Sequence, residues 1–264
     1  MSGVAWWNGR LVAPEAVALS PEDAGFRQGD GLFETLRVDA GRARDLDAHL
    51  DRLFAGLPRI ELELPEGRDT LAAAVAAVAE AAPRPTARLR ITVTRGVASV
   101  PTCLVFATRY EPPPASAYRE GVGAIFLPDL RVDSRGPLAG LKSLSYGLNA
   151  LALRRAAAAG AWEALLANEQ GRLAEGSRSN LIVVLDGRAL TPTLADGCLP
   201  GTVRRRLLEA GVLAEAPLTP ADLDRADEVL LTNSLIGVLP VGRIGGRTLV
   251  PGPVGRRLPL SPAP

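Results

Sequence analysis

Three consecutive prolines, Pro112, Pro113 and Pro114, divide the chain where no regular element can cross. Proline lacks the backbone N–H and fixes φ, so residues 111–119 continue neither a helix nor a strand. That break reads as a boundary between compact units, and 264 residues suffice for one or two of them. The expected division is 1–112 as an N-terminal α/β domain, 113–120 as a linker and 121–264 as a larger C-terminal domain.

On both sides of the break, strand-type and helix-type periods follow one another without an internal repeat. Residues 4–7 and 10–12 flank an Asn8-Gly9 pair, the strongest short-range hairpin signal. Residues 33–38 follow a Gly-Asp-Gly turn as a strand, and residues 47–57 carry Leu50, Leu53, Phe54 and Leu57 at helical spacing, with Asp45 or Asp47 as N-cap. Residues 69–82 form an alanine-rich helix stopped by Pro83, and residues 87–94 alternate as a half-buried strand pairing with 102–108. Beyond the prolines the pattern predicts a strand over 122–127, a loop over 128–141 and a helix over 145–159 capped by Gly160. Strands are expected near 164–167, 181–185, 228–232 and 238–241, with a hairpin at Asp186-Gly187 and a helix from Gly201 to Ala210. The tail after Thr248, with Pro251, Pro253, Pro259, Pro262 and Pro264, reads as irregular.

Charge and composition exclude several functions. Thirty basic against 29 acidic residues leave no electrostatic footprint for nucleic acid. The apolar stretches are too short or too broken by charge to span a bilayer, and the first residues lack the pattern of a signal peptide. Cys103 and Cys198 are far apart and without C-x-x-C spacing, which supports neither a disulfide framework nor a zinc site. One histidine, His49, rules out a metal centre built on several imidazoles. The expectation is a cytoplasmic protein with reduced thiols, no metal, and no nucleic-acid or membrane partner.

Lys142 is the one lysine among the 30 basic residues. It is either a chance survivor in an arginine-rich chain or a side chain kept for what arginine cannot do. Only lysine loses its proton at accessible pH to act as a nucleophile or base.

The surrounding motifs favour the second reading. The segment LAGLKSLSY at 138–146, AEGSRSNL at 174–181, GDGLFETLRV at 29–38, HLDRL at 49–53, LPGTVR at 199–204 and TNSLIGVLPV at 232–241 stand in one order. Together they resemble the fold-type IV pyridoxal-phosphate enzymes, a family of branched-chain aminotransferases, D-amino acid aminotransferases and aminodeoxychorismate lyases. The resemblance covers nearly the whole chain. It implies an α+β fold of the D-amino acid aminotransferase type, a smaller N-terminal α/β domain and a larger C-terminal one, pyridoxal 5'-phosphate as cofactor, and a homodimer.

The resemblance carries over by residue. Lys142 matches the lysine that forms a Schiff base with the cofactor aldehyde and then acts as base, which needs an amine able to be neutral. Glu175 matches the acid on the pyridine nitrogen; keeping that nitrogen protonated makes the ring an electron sink. Gly201, Thr202 and Val203 match the phosphate loop, where a helix N-terminus offers backbone N–H groups. This chain has Thr-Val where many aminotransferases have Ile-Thr, so one side-chain hydroxyl is lost or moved. Arg52 matches the phosphate-gripping arginine, and Asn233 and Ser234 stand at a further cofactor contact. Thr35, Arg27, Arg95, Tyr146 and Arg178 are positional candidates for substrate contact, and His49 reads as structural.

Residues 29–38, 138–142 and 232–241 look most like the lyase, which makes 4-aminobenzoate and pyruvate from 4-amino-4-deoxychorismate in folate synthesis. After Arg95-Gly96 the chain lacks both the Pro-Arg-x-His of D-amino acid aminotransferases and the Gly-Gly-Arg-Gly of some lyases. The alternatives are an aminotransferase acting on branched-chain or D-amino acids, and a non-catalytic binder of the cofactor.

Overall fold

A computed structural model of the chain describes residues 3–258. The chain forms two compact units, one of residues up to Glu111 with Leu141–Tyr146, the other of Pro112–Gly140 with residues from Gly147 onward. In the first unit the elements are β1 (Ala5–Trp7), β2 (Arg10–Val12), α1 (Ala24–Gln28), β3 (Gly31–Asp39), β4 (Arg42–Ala43), α2 (Leu46–Gly56), α3 (Gly67–Glu80), β5 (Thr86–Val97) and β6 (Val100–Arg109).

The six strands form one sheet in the order β2-β1-β6-β5-β3-β4, antiparallel throughout. The Asn8-Gly9 turn closes β1 on β2, both residues with φ above zero as a tight hairpin requires. Alternation along β3 and β5 decides which face is covered. Leu32, Leu36 and Val38 with Leu89, Ile91 and Val93 join a core completed by Leu50 and Leu53 of α2 and Leu71 and Val75 of α3. Each such leucine, fully buried, contributes roughly 1.5–3 kcal/mol relative to exposure. The residues between them, Phe33, Thr35 and Arg37, stand opposite Thr92, Arg90 and Arg88 across the strand pair. Asp45 occupies the N-cap position of α2, but makes no side-chain cap hydrogen bond.

The second unit continues with α4 (Ala115–Glu120), β7 (Val122–Val132), α5 (Gly147–Ala158), β8 (Glu163–Asn168), β9 (Leu173–Gly176), β10 (Asn180–Leu185), β11 (Arg188–Thr191) and α6 (Thr202–Glu209). It closes with β12 (Ala214–Glu215), α7 (Pro220–Asp224), β13 (Glu228–Asn233), β14 (Gly237–Ile244), β15 (Arg247–Thr248) and α8 (Pro253–Arg257). Its mixed sheet runs β12-β11-β10-β13-β14-β7-β8-β9, with β15 on β14. Strand β10 is buried on both faces. Leu181, Val183 and Leu185 enter one cluster, while Ile182 and Val184 enter another with Val203 and Leu207 of α6. That second contact fixes where α6 begins. Helix α5 lies on the sheet through Ala152 and Ala156 against Ala164 and Leu166.

Four expectations need correction. Leu141–Tyr146, inside the range expected as C-terminal domain, packs with the first unit, because Phe33 N donates to Lys142 O at 2.9 Å and Leu144 N to Gly31 O at 2.9 Å. The interval 113–120 is no bare linker: α4 starts directly after Pro114, where the missing N–H of a preceding proline costs a helix nothing. The loop expected from residue 128 is strand as far as Val132. Pro128 is tolerated because the pairing with β8 shifts register between Phe126 and Arg131, so its absent N–H breaks no ladder bond. The tail contains the short α8; Pro259, Pro262 and Pro264 lie outside the described residues. No helix among the described residues is long and apolar enough to cross a membrane.

Candidate active site

In the first unit, Lys142 sits beside the N-terminal part of β3. Its backbone carbonyl accepts from Phe33 N, and Leu32 bridges Ser143, so the lysine segment is sewn to the strand as an extra short pairing. The amine stands 4.5 Å from the centroid of the Phe33 ring. Tyr146 packs edge-on against the same ring, centroids 5.4 Å apart, and the Arg90 guanidinium carbon is 3.8 Å from its centroid. An apolar ring flanked by two cations attracts each through its quadrupole.

Glu34 points to the helix side of β3, out of phase with Phe33. It is buried and binds two residues of α2. Arg52 Nε donates to Oε1 at 2.8 Å and Nη2 to Oε2 at 2.6 Å, while His49 Nδ1 lies 2.6 Å from Oε2. Burial alone raises the pKa of this carboxyl, but the charge and hydrogen bond of Arg52 and the bond to His49 outweigh it and hold it at about 2. A folded pKa below the ordinary 4.5 gives stability that is complete above pH 4.5 and lost as pH falls toward 2, about 3 kcal/mol in all. The stability gap between wild type and Glu34→Gln in urea should therefore narrow by about 2 kcal/mol between pH 7 and pH 3. An unchanged gap would show that this ionisation is not linked to folding.

The second unit gathers Glu175, Leu199 and the start of α6. Glu175, next to last in β9, accepts from Leu199 N at 2.8 Å through Oε2. Asn180 Nδ2 donates to Leu199 O at 2.8 Å, so one residue anchors both side chains. Gly201 caps α6, and a Cβ there would lie 1.9 Å from Asn180 Oδ1, so a larger residue would have to displace the amide that anchors Leu199. Thr202 and Val203 open the helix in buried positions, their amides among those a helix leaves without an internal acceptor. Asn233 Oδ1 accepts from Leu235 N and Ile236 N at 2.9 and 3.1 Å, and its amide donates to Arg178 O at 3.0 Å. That ties the turn holding Ser234 to the loop after Glu175. The Thr232 hydroxyl is buried without a hydrogen-bond partner.

The family model described as amino-transferase class IV matches residues 31–244, most of the chain and both groups of residues. The chain belongs to the class IV aminotransferases. It is 30% identical over 267 residues to a D-alanine aminotransferase of Listeria innocua, covering 94% of this chain and 90% of that protein. Its fold matches the crystal structure of 4-amino-4-deoxychorismate lyase from Pseudomonas aeruginosa with TM-score 0.83 and 34% identity, over 96% of each chain. It also matches the PLP-bound form of a hypothetical aminotransferase from Mycobacterium tuberculosis, TM-score 0.83 and 30% identity, over 96% of this chain and 95% of that one.

The cofactor of this class IV enzyme is pyridoxal 5'-phosphate, and the donor set suits it. The group asks for an amine, for a carboxylate beside a ring nitrogen, and for a dense set of anion donors. Lys142 and Arg52 in the first unit, and in the second a Glu175 carboxylate oriented by an amide and the opening amides of α6, have those chemistries.

The substrate candidates separate. Thr35 stands opposite Arg90 on the same pair of strands, and Tyr146 is at the Phe33 ring. Arg95 is committed elsewhere: Nε donates to Asp30 at 2.6 Å, and Nη1 and Nη2 to the carbonyls of Glu61 and Ile60 at 3.0 and 2.5 Å. Arg178 stacks on Trp162 at 4.1 Å and donates to its carbonyl at 2.8 Å. Arg27 is exposed in the last turn of α1. Two residues escaped the sequence reading. Glu34 falls in phase with Leu32, Leu36 and Val38, and an acid on an apolar strand face is a legible signal. Arg90 had no distinguishing mark among so many arginines.

Proposed function

We propose that this enzyme converts 4-amino-4-deoxychorismate into 4-aminobenzoate and pyruvate. The observation that carries the reading is Arg90 and Lys142 against one Phe33 ring. The substrate presents an amine and two carboxylates, and an amine nucleophile beside a guanidinium answers both demands. The lyase-like segments at 29–38, 138–142 and 232–241 support it, as does the similarity to the Pseudomonas aeruginosa lyase.

Bound pyridoxal phosphate supplies the electron sink. Glu175, oriented by Leu199 N, would keep the proton on the ring nitrogen, and Arg52, Gly201, Thr202, Val203, Asn233 and Ser234 would be the residues that hold the phosphate end. Lys142 takes the proton from the amine-bearing ring carbon of the substrate. The ether C–O bond at the adjacent carbon then breaks, the ring becomes aromatic, and the departing enolpyruvate is protonated on carbon to give pyruvate. Lys142 is the acid for that last transfer, so one mobile base serves both steps. Arg90 and Thr35 orient the carboxylates, and the working form is a homodimer.

A second reading, a D-amino acid aminotransferase, draws on the Listeria innocua relative. Purified protein with pyridoxal phosphate is offered chorismate with an aminating enzyme, and separately D-alanine with 2-oxoglutarate. Formation of 4-aminobenzoate and pyruvate is expected. Amino-group transfer to 2-oxoglutarate without aromatic product would replace the lyase by the aminotransferase.

A further inference from the structure

The buried acid Glu34 is not explained by folding alone. A carboxylate placed on an apolar strand face costs several kcal/mol to desolvate, and a hydrophobic residue of similar size would serve the core as well or better. Glu34 is 1% exposed, and both its oxygens are spent on α2. Arg52 and His49 stand three positions apart on that helix, the spacing that puts two side chains on one face. The bonds through Nε and Nη2 fix the plane of the guanidinium, because two parallel N–H···O contacts leave it no rotation. Covalent geometry then turns the Nη1 edge away from Glu34. His49 Nδ1 carries the hydrogen toward the carboxylate, and His49 Nε2 is buried with no hydrogen-bond partner. The imidazole therefore serves Glu34 through one nitrogen and nothing through the other.

We propose that Glu34 and His49 are positioning residues for anion binding: Glu34 locks the Arg52 fork, and His49 locks Glu34, so that the arginine meets the cofactor phosphate already oriented. The inference rests on the reading that Arg52 grips that phosphate. A long flexible arginine loses conformational entropy when it binds an anion; a clamp settles that cost during folding instead. The clamp also sets the charge. Ionised Glu34 offsets the Arg52 cation, so phosphate recognition relies on directed N–H groups more than on net charge.

The test compares two probes that differ only in the phosphate. Full-length protein is stripped of cofactor and titrated with pyridoxal phosphate and with pyridoxal, following cofactor absorbance, for wild type, Arg52→Ala, Glu34→Gln, Glu34→Asp and His49→Asn. Glu34→Gln should weaken pyridoxal phosphate binding about tenfold or more while leaving pyridoxal binding unchanged. The shorter Glu34→Asp and the His49→Asn variant should show smaller losses of the same phosphate-specific kind. Adding Glu34→Gln to Arg52→Ala should cost nothing further. If Arg52→Ala is phosphate-specific but the Glu34 and His49 variants weaken both probes equally, or neither, the positioning role is overturned while the phosphate reading stands. If Arg52→Ala leaves the ratio of the two affinities unchanged, Arg52 does not meet the phosphate, and the clamp falls with it. Should Glu34→Gln not fold, Glu34→Asp and His49→Asn decide the same question.

Discussion

Lys142→Ala is expected to lower product formation by about 10³-fold or more and to remove the visible absorption of the bound cofactor. The size of the effect follows from what the side chain is asked to do. In the proposed reaction the same amine binds the cofactor and moves the proton, and no other lysine exists in the chain to replace it. Loss of fold does not enter, because the segment is held by its backbone: Lys142 O accepts from Phe33 N and Leu144 N donates to Gly31 O. The side chain itself is half-buried and touches the Phe33 ring. Lys142→Arg should be as inactive as the alanine variant, since a guanidinium keeps the positive charge and the cation–π contact but does not release its proton. A small added amine should restore part of the activity of Lys142→Ala and none of it in Lys142→Arg, where the cavity is filled. Activity within tenfold of wild type in the alanine variant would remove Lys142 from the reaction.

Lys142 is conspicuous in the sequence because it is the one lysine, and the motifs around it carry its proposed role. The half-buried strand β5 was legible because its alternation is a strict period of two, and the hairpins at Asn8-Gly9 and Asp186-Gly187 because each requires positive φ at both turn residues. Pro128 misled because a proline inside a strand is excluded only where the ladder is regular, and register shifts are tertiary facts. The placement of Leu141–Tyr146 with the first unit was beyond any local pattern, since it depends on hydrogen bonds to β3, over a hundred residues earlier. The site shows the same limit. Arg95 and Arg90 are alike in sequence, yet one is consumed by Asp30 and two carbonyls while the other lies over Phe33.

Glu163→Leu is expected to destabilise the protein by about 3–5 kcal/mol. This acid opens β8 and is fully buried. Its Oε1 accepts from Ala164 N at 3.0 Å, from Ser177 N at 3.1 Å and from the Ser177 hydroxyl, and its Oε2 accepts from the Ser179 hydroxyl at 2.8 Å. A leucine fills similar volume and satisfies none of these donors, and an unmet buried donor costs more than the net worth of the bond it lost. Burial pushes the Glu163 pKa up, against the pull of the Ser177 and Ser179 hydroxyls and the Arg178 charge. A neutral side chain that still accepts is therefore tolerated: Glu163→Gln keeps one carbonyl oxygen, and the serine facing its amide can rotate to accept. Its cost should be about 1 kcal/mol. The consequence reaches the candidate site, because the loop that Glu163 holds begins at Gly176, directly after Glu175, and ends at Asn180, which anchors Leu199. Urea denaturation of the two variants beside wild type separates the outcomes. A leucine variant as stable as wild type would mean that these four bonds only offset the burial of the charge, and that the loop is shaped by the backbone of β9 and β10 alone.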